Sequence, residues 1–294
     1  MNKKRFIFLF FCFYFLGYTL NYAQDLEKTT WLQLKEKGIA AYNNDNFQLA
    51  SNYLIKAVKK IEDSNEKDAF SHFNALEYLL ISLYYSNQIA TFEKKLNRYF
   101  VFVNDNYGKE SEFYFKCLKY QSWLFTLKYN FLKAEANMKK VLNFYDQNID
   151  LQDPPYFAQM ILEMADIQYF LNNYEQTIFY SKRALKIYKS INVELSWFRN
   201  LYEYLGVSYL NMGLLESYKA IILEFKKDIS EAKDTSFNTK MSLLTIEKEY
   251  QKYTGNPKGV EQKLNEMLRL SKKTQNTETP WYENSYLLLS LFYL

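Results

Sequence analysis

The sequence predicts an all-α fold of repeated antiparallel helix pairs, and two observations support this prediction. One pattern of small, large and turn residues recurs about every 42 residues along the chain. A fixed period of this length is typical of folds that stack one supersecondary unit on the next. The segments between the copies are polar, for example Asp63 to Asp68 and Asn104 to Lys109, as expected for loops that join helices.

The pattern is clearest in its first copy, which is anchored on Gly38. The residues at offsets +3, +7, +9, +12, +16 and +19 from this anchor are Ala41, Asp45, Phe47, Ala50, Leu54 and Ala57. Two antiparallel helices approach closely only where their side chains are small, and large residues between those positions fill the remaining space. This order of small, turn and large residues resembles the tetratricopeptide repeat (TPR). The resemblance implies a right-handed α-solenoid, a superhelix of antiparallel helix pairs.

Four further copies keep nearly the same register. Their anchors are Leu80, Ser122, Ala165 and Gly206, so that successive anchors from Gly38 onward lie 42, 42, 43 and 41 residues apart. The second copy departs most from the pattern, because large residues stand where small ones are expected, at Leu80, Phe92 and Tyr99. We therefore expect this repeat to pack at an unusual angle, or its register to be off by one.

A sixth copy is degenerate and is anchored on Glu247, and an incomplete seventh copy follows it. The predicted repeats cover residues 31–62, 73–104, 112–146, 156–190, 197–228 and 239–271, and the incomplete seventh covers 280–294. Solenoids need a polar terminal cap, whereas the last nine residues are almost all apolar. This ending indicates either the front portion of a longer polypeptide or a last helix, 281–294, that a partner or a second copy covers.

The first 23 residues have the pattern of a secretory signal peptide. A basic start, Met1 to Arg5, precedes an apolar run from Phe6 to Leu20 and a small residue, Ala23. The run is shorter than the roughly 20 residues that cross a bilayer comfortably. We expect cleavage after Ala23, a solenoid over 24–294, and an exported protein that is periplasmic or associated with the outer membrane. A retained anchor is the alternative, because Asn21 stands where a small residue is usual.

Composition excludes several classes of function. Removing residues 1–23 leaves 34 Lys and Arg against 33 Asp and Glu, so no basic stripe indicates nucleic acid as a partner. His72 is the single histidine and Cys117 the single cysteine after processing, which leaves no zinc site and no Cys–His or Ser–His nucleophile pair. We interpret His72 as a solvated residue at a helix start and Cys117 as a small buried hydrophobe.

Other chemistry is not indicated either. The seven glycines are scattered and form no phosphate-binding loop. Two pairs of neighbouring carboxylates are interpreted as solvated helix faces, namely Glu163 with Asp166 and Glu247 with Glu249. We therefore expect no catalytic residue, no cofactor and no metal, and the chain is predicted not to be an enzyme.

The resemblance to TPR proteins implies a groove lined by the first helix of each pair, which holds a peptide. Fixed offsets from the anchors select an aromatic and amide-rich set of candidate groove residues: Tyr42, Asn43, Tyr84, Tyr85, Trp123, Tyr169, Phe170 and Asn211. Large rigid rings and adaptable amides are typical of protein–protein hot spots. The same offsets also select Leu162, Asp166, Glu203, Val207 and Leu210. Lys35 matches one position of a carboxylate-binding TPR groove, but Ile39 and Tyr42 do not match the others.

Three functions remain open at the level of sequence. The first is an exported scaffold that binds a protein or peptide. The second is the sensor portion of a longer membrane-anchored signalling protein or transcription regulator. The third is a glycan- or nutrient-binding partner of an outer-membrane transporter, in which Trp123 would stack on a sugar.

Overall fold

The computed structural model describes residues 30–63 and 69–273. The signal segment 1–23 and the incomplete seventh copy at 280–294 lie outside the described residues. The chain divides into two compact units, with the boundary between Leu127 and Lys128. We refer to them as the N-terminal unit and the C-terminal unit and describe each by itself.

The described residues form twelve α-helices and no β-strand, which confirms the predicted all-α fold. The N-terminal unit contains α1 (Trp31–Asn43), α2 (Phe47–Asp63), α3 (Ala69–Tyr85), α4 (Ile89–Asn106) and α5 (Glu112–Leu127). The C-terminal unit contains α6 (Phe131–Gln147), α7 (Pro154–Phe170), α8 (Tyr174–Ser190), α9 (Asn200–Asn211), α10 (Leu215–Ala232), α11 (Phe237–Tyr253) and α12 (Pro257–Lys273). Two short 3₁₀ turns, Ile149–Leu151 and Leu195–Trp197, precede α7 and α9.

Each tight turn between a first and a second helix contains one residue with left-handed backbone geometry. These residues, with φ between +55° and +70°, are Asp45, Asn87, Tyr129, Asn172, Gly213 and Gly255. The first five lie seven residues after their predicted anchors, and Asn87 shows that the copy at Leu80 keeps the common register. Gly255 lies eight residues after Glu247, so the anchor of the sixth copy is Lys248, one residue later than the sequence pattern placed it.

Two helix starts follow directly from the sequence. Thr30 forms a capping box with Gln33, because the Gln33 amide donates to the Thr30 hydroxyl at 3.2 Å and the Gln33 side chain accepts from the Thr30 amide at 3.0 Å. Asp153 caps α7 by accepting from the Tyr156 amide at 3.3 Å, with Pro154 as the first helical residue.

The small anchor positions are the places where paired helices come closest. A Cβ atom on Gly38 would lie 2.6 Å from Cγ of Leu54, and one on Gly206 would lie 2.7 Å from Cε2 of Tyr218. In the second copy, by contrast, all three large residues are fully buried: Leu80, Phe92 and Tyr99. The core of the N-terminal unit therefore takes up their volume in the common register.

No helix within 30–63 and 69–273 is both long and apolar enough to cross a bilayer. Cys117 is fully buried, and burial raises the pKa of its thiol, in agreement with its predicted role as a small hydrophobe. The prediction that His72 is solvated is wrong. Its ring packs against the ring of Phe102, with 4.3 Å between the ring centroids, and burial lowers its pKa.

Candidate ligand-binding groove

In the N-terminal unit, four of the predicted groove aromatics form one chain of ring contacts. Tyr84 lies 4.5 Å from Trp123 and 5.3 Å from Tyr85, measured between ring centroids. Tyr85 stacks on Phe47 at 4.8 Å, and Phe47 contacts Tyr42 at 5.7 Å. The turn into α2 thus supplies Phe47, which the groove offsets had not selected, as the link between the ends of α1 and α3.

The exposure of these aromatics decides what they can offer a ligand. Trp123 is only 8% exposed, and the Lys119 amine lies 4.8 Å from the centroid of its ring. Tyr85 is 51% exposed, and Asn43 also faces solvent. Trp123 therefore supports the surface from below, whereas Tyr85 presents an accessible ring face. Little of the Trp123 ring face is accessible for stacking on a sugar.

In the C-terminal unit, the first helices α7, α9 and α11 lie side by side, and aromatic rings join the first two. Tyr169 on α7 stacks on Tyr204 on α9, with 5.1 Å between the ring centroids. Phe170 stacks on Phe131 at 4.9 Å, with the rings only 11° from parallel, and remains 50% exposed. The ends of the first helices therefore carry accessible apolar surface next to a tyrosine pair.

Two carboxylates lie beside this tyrosine pair, and their placement corrects the interpretation of Asp166 as part of a solvated face. The Tyr204 hydroxyl donates to Oδ1 of Asp166 at 2.5 Å. Burial raises the pKa of Asp166, and the bond from Tyr204 opposes that rise. Burial likewise raises the pKa of Glu203, against smaller opposing effects from the Ser242 hydroxyl and the Arg199 guanidinium.

Two further carboxylates of the predicted solvated faces, Glu247 and Glu163, are also not freely solvated. Glu247 pairs with Lys226 at 2.5 Å and with Lys263 at 2.9 Å, and its side chain is 12% exposed. Oε1 of Glu163 is buried. The polar face of a first helix, as read from sequence, is therefore largely an interface with the neighbouring helices.

Between α9 and α11 the structure has a cavity of about 520 Å³. It is lined by residues at the same three groove offsets in two successive copies: Val207, Leu210 and Asn211 after Gly206, and Glu249, Lys252 and Tyr253 after Lys248. The sequence selected the first three. The offsets were applied only to the first five copies, so the second three were not selected. Gly255 at the turn is the signal that fixes the register of the sixth copy.

A larger cavity, of about 740 Å³, lies elsewhere, between α10, α11 and α12. Its lining includes Lys226, Leu243, Leu244, Arg269 and Lys273, the last residue of α12. This cavity is on the stacking face of the last described helix pair and not on the groove. Within 30–63 and 69–273, no three His, Cys, Asp or Glu side chains are grouped so that they could hold a metal ion.

No family model and no curated protein matches the sequence. Solved structures do match. RapI in its apo form is 11% identical, with a TM-score of 0.65, and the match covers 89% of this chain and 70% of that chain. A Rap protein complexed with competence and sporulation factor is 16% identical, with a TM-score of 0.57, and the match covers 89% and 74%. The chain has a tetratricopeptide-repeat fold.

A third solved structure also matches the chain. It is a signal transduction ATPase of the STAND class from Pyrococcus horikoshii, which has a tetratricopeptide repeat sensor. It is 19% identical to this chain with a TM-score of 0.61. The match covers 88% of this chain but only 38% of that one. At these identities the likeness extends to the fold alone, and function has to be argued from the groove.

Proposed function

We propose that the chain is a non-enzymatic scaffold that binds a protein or peptide segment in the groove of the C-terminal unit. The observation that carries the proposal is the cavity between α9 and α11. Equivalent positions of two successive repeats line it, so the repeat itself generates the site. Its apolar part consists of Val207, Leu210 and the half-exposed ring of Tyr253, and its amide is that of Asn211.

The chemistry of this lining suits a polypeptide better than a small polar solute. Apolar side chains and an accessible tyrosine ring favour burial of a ligand side chain. Asn211 can both donate to and accept from a peptide backbone, and its amide nitrogen already donates to the carbonyl of Val207 at 2.9 Å. The Rap protein complexed with competence and sporulation factor shows a structure of the same fold with a bound factor. This parallel supports the proposal by analogy only.

A selection from a random dodecapeptide library tests the proposal, with two leucine variants as a matched pair. Leu210 lines the cavity, whereas Leu223 lies on the second helix α10 and is 60% exposed. We expect wild type and Leu223→Glu to retain the same peptides. Leu210→Glu should bind them ~10-fold more weakly or not at all, since a carboxylate would replace part of the apolar wall of the cavity. Equal binding by both variants would place the ligand elsewhere.

We also propose that residues 1–23 export the protein, on the strength of their basic, apolar and small-residue pattern. The test is a fusion of residues 1–30 to a reporter enzyme that is active only outside the cytoplasm. Activity is expected with the native segment and not after Leu9→Arg. Activity that survives this substitution would contradict export by this segment.

A sensor role within a longer polypeptide is the second candidate, and the STAND structure with its TPR sensor favours it. Reading the coding frame beyond Leu294 distinguishes the two. A following membrane span with a kinase or DNA-binding module would make the groove a sensor surface. A stop codon would leave a scaffold that acts by itself.

A further inference from the structure

The groove face of the C-terminal unit carries a patch in which two carboxylates flank a pair of stacked tyrosines. We call it the acidic–aromatic patch, and it consists of Asp166, Tyr169, Glu203 and Tyr204. Burial raises the pKa of both phenols, and repulsion between each phenolate and the two carboxylates raises it further. The hydrogen bond from Tyr204 to Asp166 and the stacking of Tyr169 on Tyr204 join α7 and α9 at this patch.

The patch lacks the cations that other partly buried acids of this unit have. Glu135 pairs with Lys139 at 2.7 Å, and Asp228 pairs with Lys189 at 2.8 Å. Within the described residues, neither Asp166 nor Glu203 has a Lys, Arg or His at ion-pair distance. Tyr204 and Ser242 give them neutral hydrogen bonds, and Arg199 acts on Glu203 only at longer range.

Partly buried carboxylates without a counter-ion are costly to keep, and such costs persist mainly at functional sites. A guanidinium or ammonium group at the Asp166 carboxylate would form charge-assisted hydrogen bonds with it and would be attracted by the charge of Glu203. The Tyr169–Tyr204 pair would add a cation–π surface for the same group. The missing partner is therefore a cation with N–H donors.

The acidic–aromatic patch and the cavity between α9 and α11 lie along the same face of α9. Glu203, Val207 and Leu210 are spaced by four and three residues and so lie on one face of α9. Seven residues of helix rise by ~10 Å, which equals about three residues of an extended peptide at ~3.3 Å each. One ligand segment can thus reach both the carboxylates and the apolar cavity.

We propose that the groove selects peptide segments with an arginine or lysine side chain about three residues from an apolar side chain. The basic group binds the Asp166 carboxylate and is attracted by Glu203, and the apolar side chain enters the cavity at Val207 and Leu210. This inference rests on the proposed function, because it names the ligand chemistry of the same groove.

The test is to select peptides from the same random dodecapeptide library on three proteins: the wild type, a groove variant and a control variant. Asp166→Asn with Glu203→Gln removes both charges and keeps the side-chain shapes. Glu175→Gln with Glu216→Gln removes two charges from exposed positions on the second helices and serves as the matched control. We expect peptides from wild type and from the control to be enriched in Arg and Lys, and those from the groove variant not to be. The best wild-type peptide should bind the groove variant ~10-fold or more weakly, as expected for lost charge-assisted bonds.

Two outcomes overturn the inference in different ways. If wild-type peptides show no enrichment in Arg and Lys, or if the groove variant keeps it, the carboxylates do not select the ligand. In that case loss of binding in Leu210→Glu still supports the groove as the site. If Leu210→Glu retains the same peptides with unchanged affinity, the proposed function fails and the inference fails with it.

Discussion

Gly206→Ala tests the close packing of paired helices on which the fold is built. The added Cβ would lie 2.7 Å from Cε2 of Tyr218 and 3.4 Å from Cγ2 of Ile246. Tyr218 cannot move away freely, because it is 1% exposed and its hydroxyl donates to the carbonyl of Ile246 at 2.6 Å. Its ring also stacks on that of Tyr250 at 5.6 Å. The substitution therefore forces either strain at the ring or the loss of a buried hydrogen bond.

The expected free-energy change combines three effects. Overpacking of a core costs about 1–3 kcal/mol, and a buried donor left without its acceptor costs about 1–3 kcal/mol. Alanine in a helix interior recovers about 1 kcal/mol relative to glycine. Because the ring suffers either the strain or the lost bond, and alanine recovers about 1 kcal/mol, we expect Gly206→Ala to destabilise the protein by up to about 2 kcal/mol.

Urea unfolding followed by circular dichroism measures this change, with Gly259→Ala as the control. A Cβ on Gly259 would meet Oε1 of Gln251 at 2.5 Å and Nδ2 of Asn256 at 2.7 Å, which are the ends of flexible side chains. We expect the control to change the free energy of unfolding by less than about 0.5 kcal/mol. In combination with Tyr218→Leu, the cost of Gly206→Ala should fall, since the ring is gone. A Gly206→Ala protein as stable as Gly259→Ala would refute the close-packing argument.

Two further predictions concern stability. Tyr129 has φ +56° and is 84% exposed, a backbone geometry that asparagine tolerates better, so Tyr129→Asn should raise the free energy of unfolding by about 0.5–1 kcal/mol. The converse Asn172→Tyr should lower it, and urea titration of both variants decides; opposite signs would contradict the prediction. Burial raises the pKa values of Asp166 and Glu203 above their usual values of 3.8 and 4.5. Protonation of these two carboxylates therefore stabilises the folded state. This stabilisation is complete below the usual pKa values and is lost as the pH rises through the raised values. The variant with Asp166→Asn and Glu203→Gln should therefore melt higher than wild type at neutral pH but not near pH 3, and a lower melting temperature at neutral pH would contradict uncompensated burial.

Much of the fold could be predicted because its determinants are local. The small anchors Gly38 and Gly206 are fixed by the approach of paired helices, and the turn residues by the need for a positive φ. Both requirements restrict residue type strongly, so they leave a periodic trace in the sequence. The sixth copy lost its small anchor, since Lys248 takes that place, and its register was wrong by one residue as a result.

The groove was harder to predict because its properties depend on neighbouring helices. The offsets identified Asp166 and Trp123 as groove residues, but they did not predict that either side chain is largely buried. Asp166 is buried by Tyr204, which reaches it from the next first helix, 38 residues later in the chain. Trp123 is covered by Tyr84 and Lys119. Charged residues spaced along a helix suggest a solvated face only when no helix packs beside it, and a single sequence does not reveal that.

Photo-crosslinking tests the central claim, that the groove of the C-terminal unit binds peptide, most directly. p-Benzoylphenylalanine is placed at Leu210, in the cavity between α9 and α11, or at Leu223, on the second helix and 60% exposed. A peptide selected from the random library on wild-type protein is then irradiated with each variant. We predict a covalent adduct at position 210 and none at 223. An adduct at 223 with none at 210 would contradict the account and move the binding surface to the second helices.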